Sequence, residues 1–308
     1  MTRSILSGQR ARRPSWLRFA TAAVLLAWCS GAPLPARAGS NVAVLYAGSL
    51  INLMQGSVGP AFDHASGDHF RGYAGGSKLL ANEIAGHLRR ADVFLSAAPG
   101  VNARLMGAKH GDWVRWYVTF AQSPLVIGYN PRSRFAPLWH SRPWYVVLQT
   151  PGLRIGRTDP KLDPKGILTV ELMRRAAAYY HVPGLLRRVL GGPENATQVF
   201  PEETLMGRLQ SGQLDAGFFY STETSAAGIP SVALPPSITP KALYTITLVR
   251  DAPHPRAAAA FIAFLLGPRG RKLMLAHGLA QRRLTLTGNA RAMPPPLRAL
   301  VRRTAPKI

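Results

Sequence analysis

Thiol chemistry is all but missing from this chain: Cys29 is the single cysteine among 308 residues, and it lies in an amino-terminal stretch that reads as a leader to be removed. A mature chain from about Gly39 onward then has no disulfide, no thiolate metal site and no cysteine nucleophile. Acids are scarce too, 14 against 38 lysines and arginines, for a formal charge of +24. The eight histidines are scattered, without a spacing that a helix or turn would gather round a metal. His64 and His69 read as surface residues. No serine sits in a Gly-x-Ser-x-Gly elbow. The basic residues are dispersed rather than interleaved with aromatic stacking residues, which argues against a nucleic-acid partner. After the leader, no apolar run is long enough to span a bilayer, and no internal repeat or long low-complexity segment occurs.

Residues 1–38 have the order of a secretory signal. Arg3, Arg10, Arg12, Arg13 and Arg18 precede the apolar run Phe19 to Trp28, and Ala36-Arg37-Ala38 supplies small residues for cleavage. The order Leu25-Leu26-Ala27-Trp28-Cys29 places bulky Trp28 where a lipid-attachment site wants a small residue, so lipid anchoring is not expected. Removing the leader's six arginines leaves a formal charge of +18, a field that draws anions. The expected product is an exported, periplasmic protein.

Strand-like and helix-like segments alternate from the start of the mature chain. Asn41 to Tyr46 reads as a strand running into Ala47-Gly48-Ser49-Leu50, and Ser49 is positioned to cap a helix carrying Leu50, Leu53 and Met54. Gly75-Gly76-Ser77 repeats that grammar before Leu80 and Ile84. Further strands are expected at Asp92 to Ser96, Leu125 to Tyr129, Leu153 to Gly156, Leu214 to Tyr220 and Tyr244 to Val249. Helices are expected at Leu168 to Tyr180, Pro201 to Leu209 and Pro255 to Leu266. Such alternation implies an α/β protein of mainly parallel sheets flanked by helices, with ligands gathering where strands end and helices begin. The length suits two such units.

Two features carry chemistry. Ser49 and Ser77 each follow glycine at a helix start, where a hydroxyl and free backbone N–H groups can converge on an oxyanion; the plainer alternative is that each only caps its helix. The segment Gly156 to Gly166 contains two Asp-Pro pairs, Asp159-Pro160 and Asp163-Pro164. Each proline pushes its aspartate out of helical geometry and can itself open a helix. With acids so few, Asp159, Asp163, Glu202 and Glu203 stand out beside turns and helix starts, although acids there also complement the helix dipole.

These residues together resemble the substrate-binding proteins of molybdate and tungstate ABC transporters. Ala47-Gly48-Ser49-Leu50 and Gly75-Gly76-Ser77-Lys78 are similar to that family's two oxyanion loops, and Ala91 to Ala97 to the strand after the second. Leu125 to Pro131 resembles the crossing into the second lobe, Gly212 to Ser221 the returning strand, and Ala259 to Gly270 the closing helix. The Asp-Pro motif resembles the branch that adds an Asp and a Glu to the serines as metal ligands. The resemblance implies a type II periplasmic-binding-protein fold, with lobe 1 at residues 39–121 plus 226–308, lobe 2 at 122–225, and ligand in the cleft. It implies Ser49 and Ser77 as oxyanion-binding residues, Asp163 as a carboxylate ligand, and Glu202 or Glu203 as the other; Asp159 is left as a turn or capping residue. The protein would be a monomer and not an enzyme, with no cofactor besides its bound molybdate or tungstate and an inner-membrane permease as partner. The alternatives are a sulfate or phosphate binder on the same fold, and a secreted hydrolase using Ser49 or Ser77.

Overall fold

The computed structural model describes residues 39–192 and 194–303. The readings made for the leader, including Cys29, fall outside those residues. Among the described residues nine strands appear: β1 (Asn41–Ala47), β2 (His69–Gly75), β3 (Val93–Ser96), β4 (Trp116–Tyr129), β5 (Ile155–Gly156), β6 (Ala216–Tyr220), β7 (Ser231–Val232), β8 (Lys241–Leu248) and β9 (Ala280–Gly288). They pair in the order β2-β1-β3-β8-β4-β6-β5, with β7 and β9 also on β4.

Strand β4 organises the molecule. Its first part, to Pro124, lies against β8 and β9, and its second part, from Leu125, lies against β6 and β7. One strand thus serves two sheets. Trp116 to Phe120 and Leu125 to Tyr129 are a single 14-residue strand, with a register shift between Thr119 and Ala121. Both of its neighbours in each sheet run antiparallel to it.

The expectation of mainly parallel sheets therefore needs correction. The pairs β1–β2, β1–β3 and β5–β6 are parallel, whereas every pairing of β8 and β4 is antiparallel. Alternating elements predict parallel pairing only where a helix carries the chain back to the same sheet edge. Here β4 and β8 are adjacent and oppositely directed, which sequence alternation does not reveal.

Burial explains the apolar runs. On β1, Val44 and Tyr46 enter the large core while Leu45 packs on the other face with Leu80, Ile84 and Phe94. On β6, Phe218 and Tyr220 enter the large core, and Phe219 faces Val126, Leu205 and Leu209. A strand buried on both faces has no polar alternation to show. Among the described residues, no helix is long and apolar enough to cross a membrane.

Candidate functional site

The two serine loops form as short strand-to-helix turns. Gly48, Ser49 and Leu50 make a single 3₁₀ turn after β1, and Ser77 is the first residue of the helix Ser77–Ala85 after β2. Neither serine side chain caps its helix: the cap positions are Ala47 and Gly76, without side-chain hydrogen bonds. The Ser49 hydroxyl instead accepts from the Tyr244 hydroxyl at 3.0 Å. The Ser77 hydroxyl accepts from the Ala97 N–H at 3.1 Å. Both side chains are thus tied to other strands, leaving backbone groups at the loop tips to face across.

What they face is the Asp-Pro segment and the helix Glu202–Gln210. The Ser77 N–H donates to Asp163 Oδ2 at 3.3 Å, and the next two amides, of Lys78 and Leu79, both donate to the Leu162 carbonyl at 3.0 Å. Lys78 Nζ reaches the Pro160 carbonyl at 2.9 Å. A Cβ on Gly76 would lie 2.8 Å from the Leu162 oxygen, and one on Gly48 would lie 2.4 Å from Glu202 Cγ. Both glycines are needed because another segment packs directly on their backbone. Residues more than eighty positions apart meet here.

Asp163 is buried and caps the helix Pro164–Tyr179, its Oδ1 accepting from the Lys165 N–H at 2.9 Å and from the Thr158 hydroxyl at 3.0 Å. Asp159 accepts from the Lys161 N–H at 2.7 Å, as expected of a turn residue. Glu202 is buried, whereas Glu203 beside it is exposed. Asp163, Glu202, Glu203, Gly76, Thr158 and Phe200 are among the residues lining a cavity of about 260 Å³.

Two further charged groups belong here that the sequence reading passed over. Lys165 is fully buried, and its ammonium donates to both Glu202 oxygens, at 3.0 and 2.8 Å, and to Glu223 Oε1 at 2.8 Å. Glu223 lies in the helix Ser221–Ala226, and its Oε2 accepts from the Tyr220 N–H at 2.7 Å. Glu223 carried the same signal that singled out Asp163, a scarce acid just inside a strand-to-helix turn. Lys165 stood inside the Asp-Pro motif. Among the described residues no group of three His, Cys, Asp or Glu side chains is placed to hold a metal ion. An ammonium stands between two of the acids instead.

Hydroxyls complete the site. Ser123, on β4 at the passage between sheets, is 3.1 Å from the Ser221 hydroxyl and accepts from the Thr222 N–H at 3.3 Å. The Tyr220 hydroxyl is buried with no hydrogen-bond partner among the described residues, within electrostatic reach of Asp163, Glu202 and Glu223. A donor left unsatisfied in such a place is the kind of group that a ligand oxygen satisfies.

Burial pushes the Asp163 carboxyl up to about 7, with the charge of Glu202 adding to it and Lys165 opposing. Burial likewise pushes Glu223 up to about 7, against the pull of Lys165. Burial alone works to lower the Lys165 ammonium, but the charges of Glu202, Glu223 and Asp163 outweigh it and hold the group above its ordinary value. A carboxyl whose folded value is raised binds more protons folded than unfolded. Its stabilising contribution is present at low pH and is lost as pH rises, here between about 4 and about 7. The melting temperature of the ligand-free protein is therefore expected to fall by several degrees between about pH 5 and about pH 8. A flat or rising profile in a calorimetric pH series would contradict it.

Comparison with known proteins bears on the family and on the fold. Residues 42–280 match the model of the family described as bacterial extracellular solute-binding protein. An uncharacterized solute-binding protein of Petrotoga mobilis is 30% identical over 238 residues, 67% of this chain and 72% of the relative. The molybdate/tungstate-binding protein WtpA of Thermococcus kodakarensis is 25% identical over 253 residues, 67% of this chain and 71% of the relative. The periplasmic molybdate-binding protein of Azotobacter vinelandii superposes with a TM-score of 0.59 at 17% identity, covering 78% of this chain and 98% of that one, a likeness of fold.

Proposed function

The chain belongs to the bacterial extracellular solute-binding proteins, and from that premise we propose that it captures molybdate or tungstate in the periplasm and delivers the anion to an ABC permease. The observation that carries the reading is the meeting of the Gly48 and Gly76 loops with Glu202 and Asp163, which brings backbone donors and acids onto one cleft. It is supported by relatives named for molybdate and tungstate binding. The two lobes are residues 39–121 with 226–308 and residues 122–225. The passage of β4 from one sheet to the other near Pro124 supports that division. The protein acts as a monomer and catalyses no reaction.

In this scheme amides of the Gly48 loop and the Tyr220 hydroxyl bind oxyanion oxygens, the Ser77 N–H exchanges its bond to Asp163 for one to a ligand oxygen, and the Ser49 and Ser77 hydroxyls hold the loops in place or turn to the ligand when it enters. Asp163 contributes a carboxylate oxygen to the metal centre. A carboxylate beside a dianion repels it unless the two are bonded, and a Mo(VI) or W(VI) centre accepts hard oxygen ligands. Of the other two acids, Glu202 borders the site more closely than Glu203, because it packs on Gly48 and is buried.

Titrating the purified protein with molybdate, tungstate, sulfate and phosphate, with tryptophan fluorescence as readout, tests the reading. A response to molybdate and tungstate at micromolar or lower concentration is expected. A response confined to sulfate or phosphate would transfer the site to the rival oxyanion. The hydrolase alternative is disfavoured by the partners of its serines. Among the described residues neither Ser49 nor Ser77 hydrogen-bonds a histidine, and the serine–histidine bond that does form joins Ser57 to His277 at 2.8 Å.

A further inference from the structure

The oxyanion scheme makes no use of the most deeply buried charge in the site. Lys165 is completely enclosed, a position that strongly disfavours an ammonium unless it is paired. Its contacts are with Glu202 and Glu223, and its ammonium lies over the rings of Phe219 and Tyr220, 5.5 and 5.1 Å from their centroids. Three hydrogen bonds to carboxylate oxygens use the full donor capacity of an ammonium. Lys165 therefore points its charge at two acids rather than at the ligand.

The acids of the site are consequently divided. Glu202 and Glu223 share one ammonium, and Glu223 also takes the Tyr220 N–H. Asp163 is held by neutral donors only, the Thr158 hydroxyl and the amides of Lys165 and Ser77. When ionised, the three carboxylates without Lys165 would present three negative charges to an incoming anion. With it, the Glu202–Lys165–Glu223 group carries one, and Asp163 the other.

We propose that Lys165 sets the charge class of the ligand: by neutralising one of the glutamates from within the cleft wall, it allows a tetrahedral dianion to bind beside acids that would otherwise admit only a monoanion. The role is one of positioning and charge, and it rests on the oxyanion reading above. The electrostatic energy between a fixed charge and a ligand scales with the ligand's charge. Loss of the Lys165 charge must then cost a dianion about twice what it costs a monoanion of the same shape, in logarithmic terms.

Molybdate and perrhenate provide that comparison, since both are tetrahedral tetraoxo anions of similar size, with charges of 2− and 1−. Calorimetric titration of each into wild type, Lys165→Met and Glu202→Gln reads the effect. Methionine keeps an unbranched apolar side chain of similar length while removing the charge. Lys165→Met is expected to shift the molybdate-to-perrhenate preference toward perrhenate by about tenfold or more, and Glu202→Gln to shift it toward molybdate. The double variant Lys165→Met/Glu202→Gln restores the charge balance and is expected to return the preference to within about threefold of wild type. If the single Lys165 variant does not fold, the Glu202→Gln shift and the double variant still decide.

Equal weakening of both anions in Lys165→Met, an unchanged preference in Glu202→Gln, or a double variant that keeps the perrhenate shift would each show a merely structural lysine and overturn the proposal. A wild-type protein that binds none of molybdate, tungstate, sulfate or phosphate would overturn the oxyanion reading and this inference together. Binding by wild type with no charge-dependent shift would overturn the inference alone.

Discussion

Asp163→Asn lowers the affinity for molybdate and tungstate by at least about tenfold, the scale of a lost or disturbed contact at a metal-binding site, while the protein stays folded. Asparagine is as good a helix N-cap as aspartate, and its carbonyl oxygen can go on accepting from the Lys165 N–H and the Thr158 hydroxyl. What it removes is the carboxylate oxygen that faces the Ser77 N–H at the cleft, together with its charge. Asp163→Ala should lose the same affinity and also about 1 kcal/mol of stability, because the cap goes with the ligand. The pair of variants separates the two jobs of this residue, with titration calorimetry reading one and urea denaturation the other. Unchanged affinity in Asp163→Asn would remove Asp163 from the ligand set.

Asp92→Ala destabilises the protein by about 2–4 kcal/mol, a large effect from a residue with no place in the binding site. Asp92 is completely buried, and its carboxylate accepts from the Ala43 N–H at 2.8 Å and the His254 N–H at 2.6 Å, with His254 Nδ1 at 3.2 Å. It joins β1, the start of β3 and the entry to the helix Pro255–Leu266. Alanine leaves both amides without that acceptor, in a place where water cannot easily replace it. Urea denaturation followed by circular dichroism reads the loss, and a change below about 1 kcal/mol would show that the acid is not the tie the geometry makes it. Oxyanion affinity of the folded protein should be unaltered.

The contrast between these two aspartates shows how far residue patterns reach. Ala91-Asp92-Val93 and Asp163-Pro164 are both acids at the start of an element, and both were visible as such. Asp159-Pro160 and Asp163-Pro164 gave the same local signal, and resemblance to the family motif singled out Asp163; the helix cap it forms is local. The partners of Asp92 lie 49 and 162 residues away, beyond any spacing argument. The serine loops divide in the same way. Their strand, turn and helix were legible, because glycine and a following helix former act within a few residues. The helix-capping role read for Ser49 and Ser77 failed, because Tyr244 on β8 and the Ala97 amide just after β3 claim the two hydroxyls.

Glu202 and Glu203 could not be separated on paper, since neighbours in a first helical turn differ only in the direction they face. Packing against Gly48 turns Glu202 inward and leaves Glu203 exposed.

By itself the sequence determined the alternating α/β elements, the basic character that draws anions, the absence of cysteine after Cys29, and the two glycine–serine loops with their Asp-Pro counterpart, because these follow from composition and from interactions a few residues long. Only the tertiary structure decided that β4 is shared by two sheets and pairs antiparallel in both, and that Lys165 stands between Glu202 and Glu223, 37 and 58 residues further on. A charge is tolerated in a protein interior only through partners that the fold brings to it, so which charges a binding site presents is settled by chain crossings and not by the order of residues.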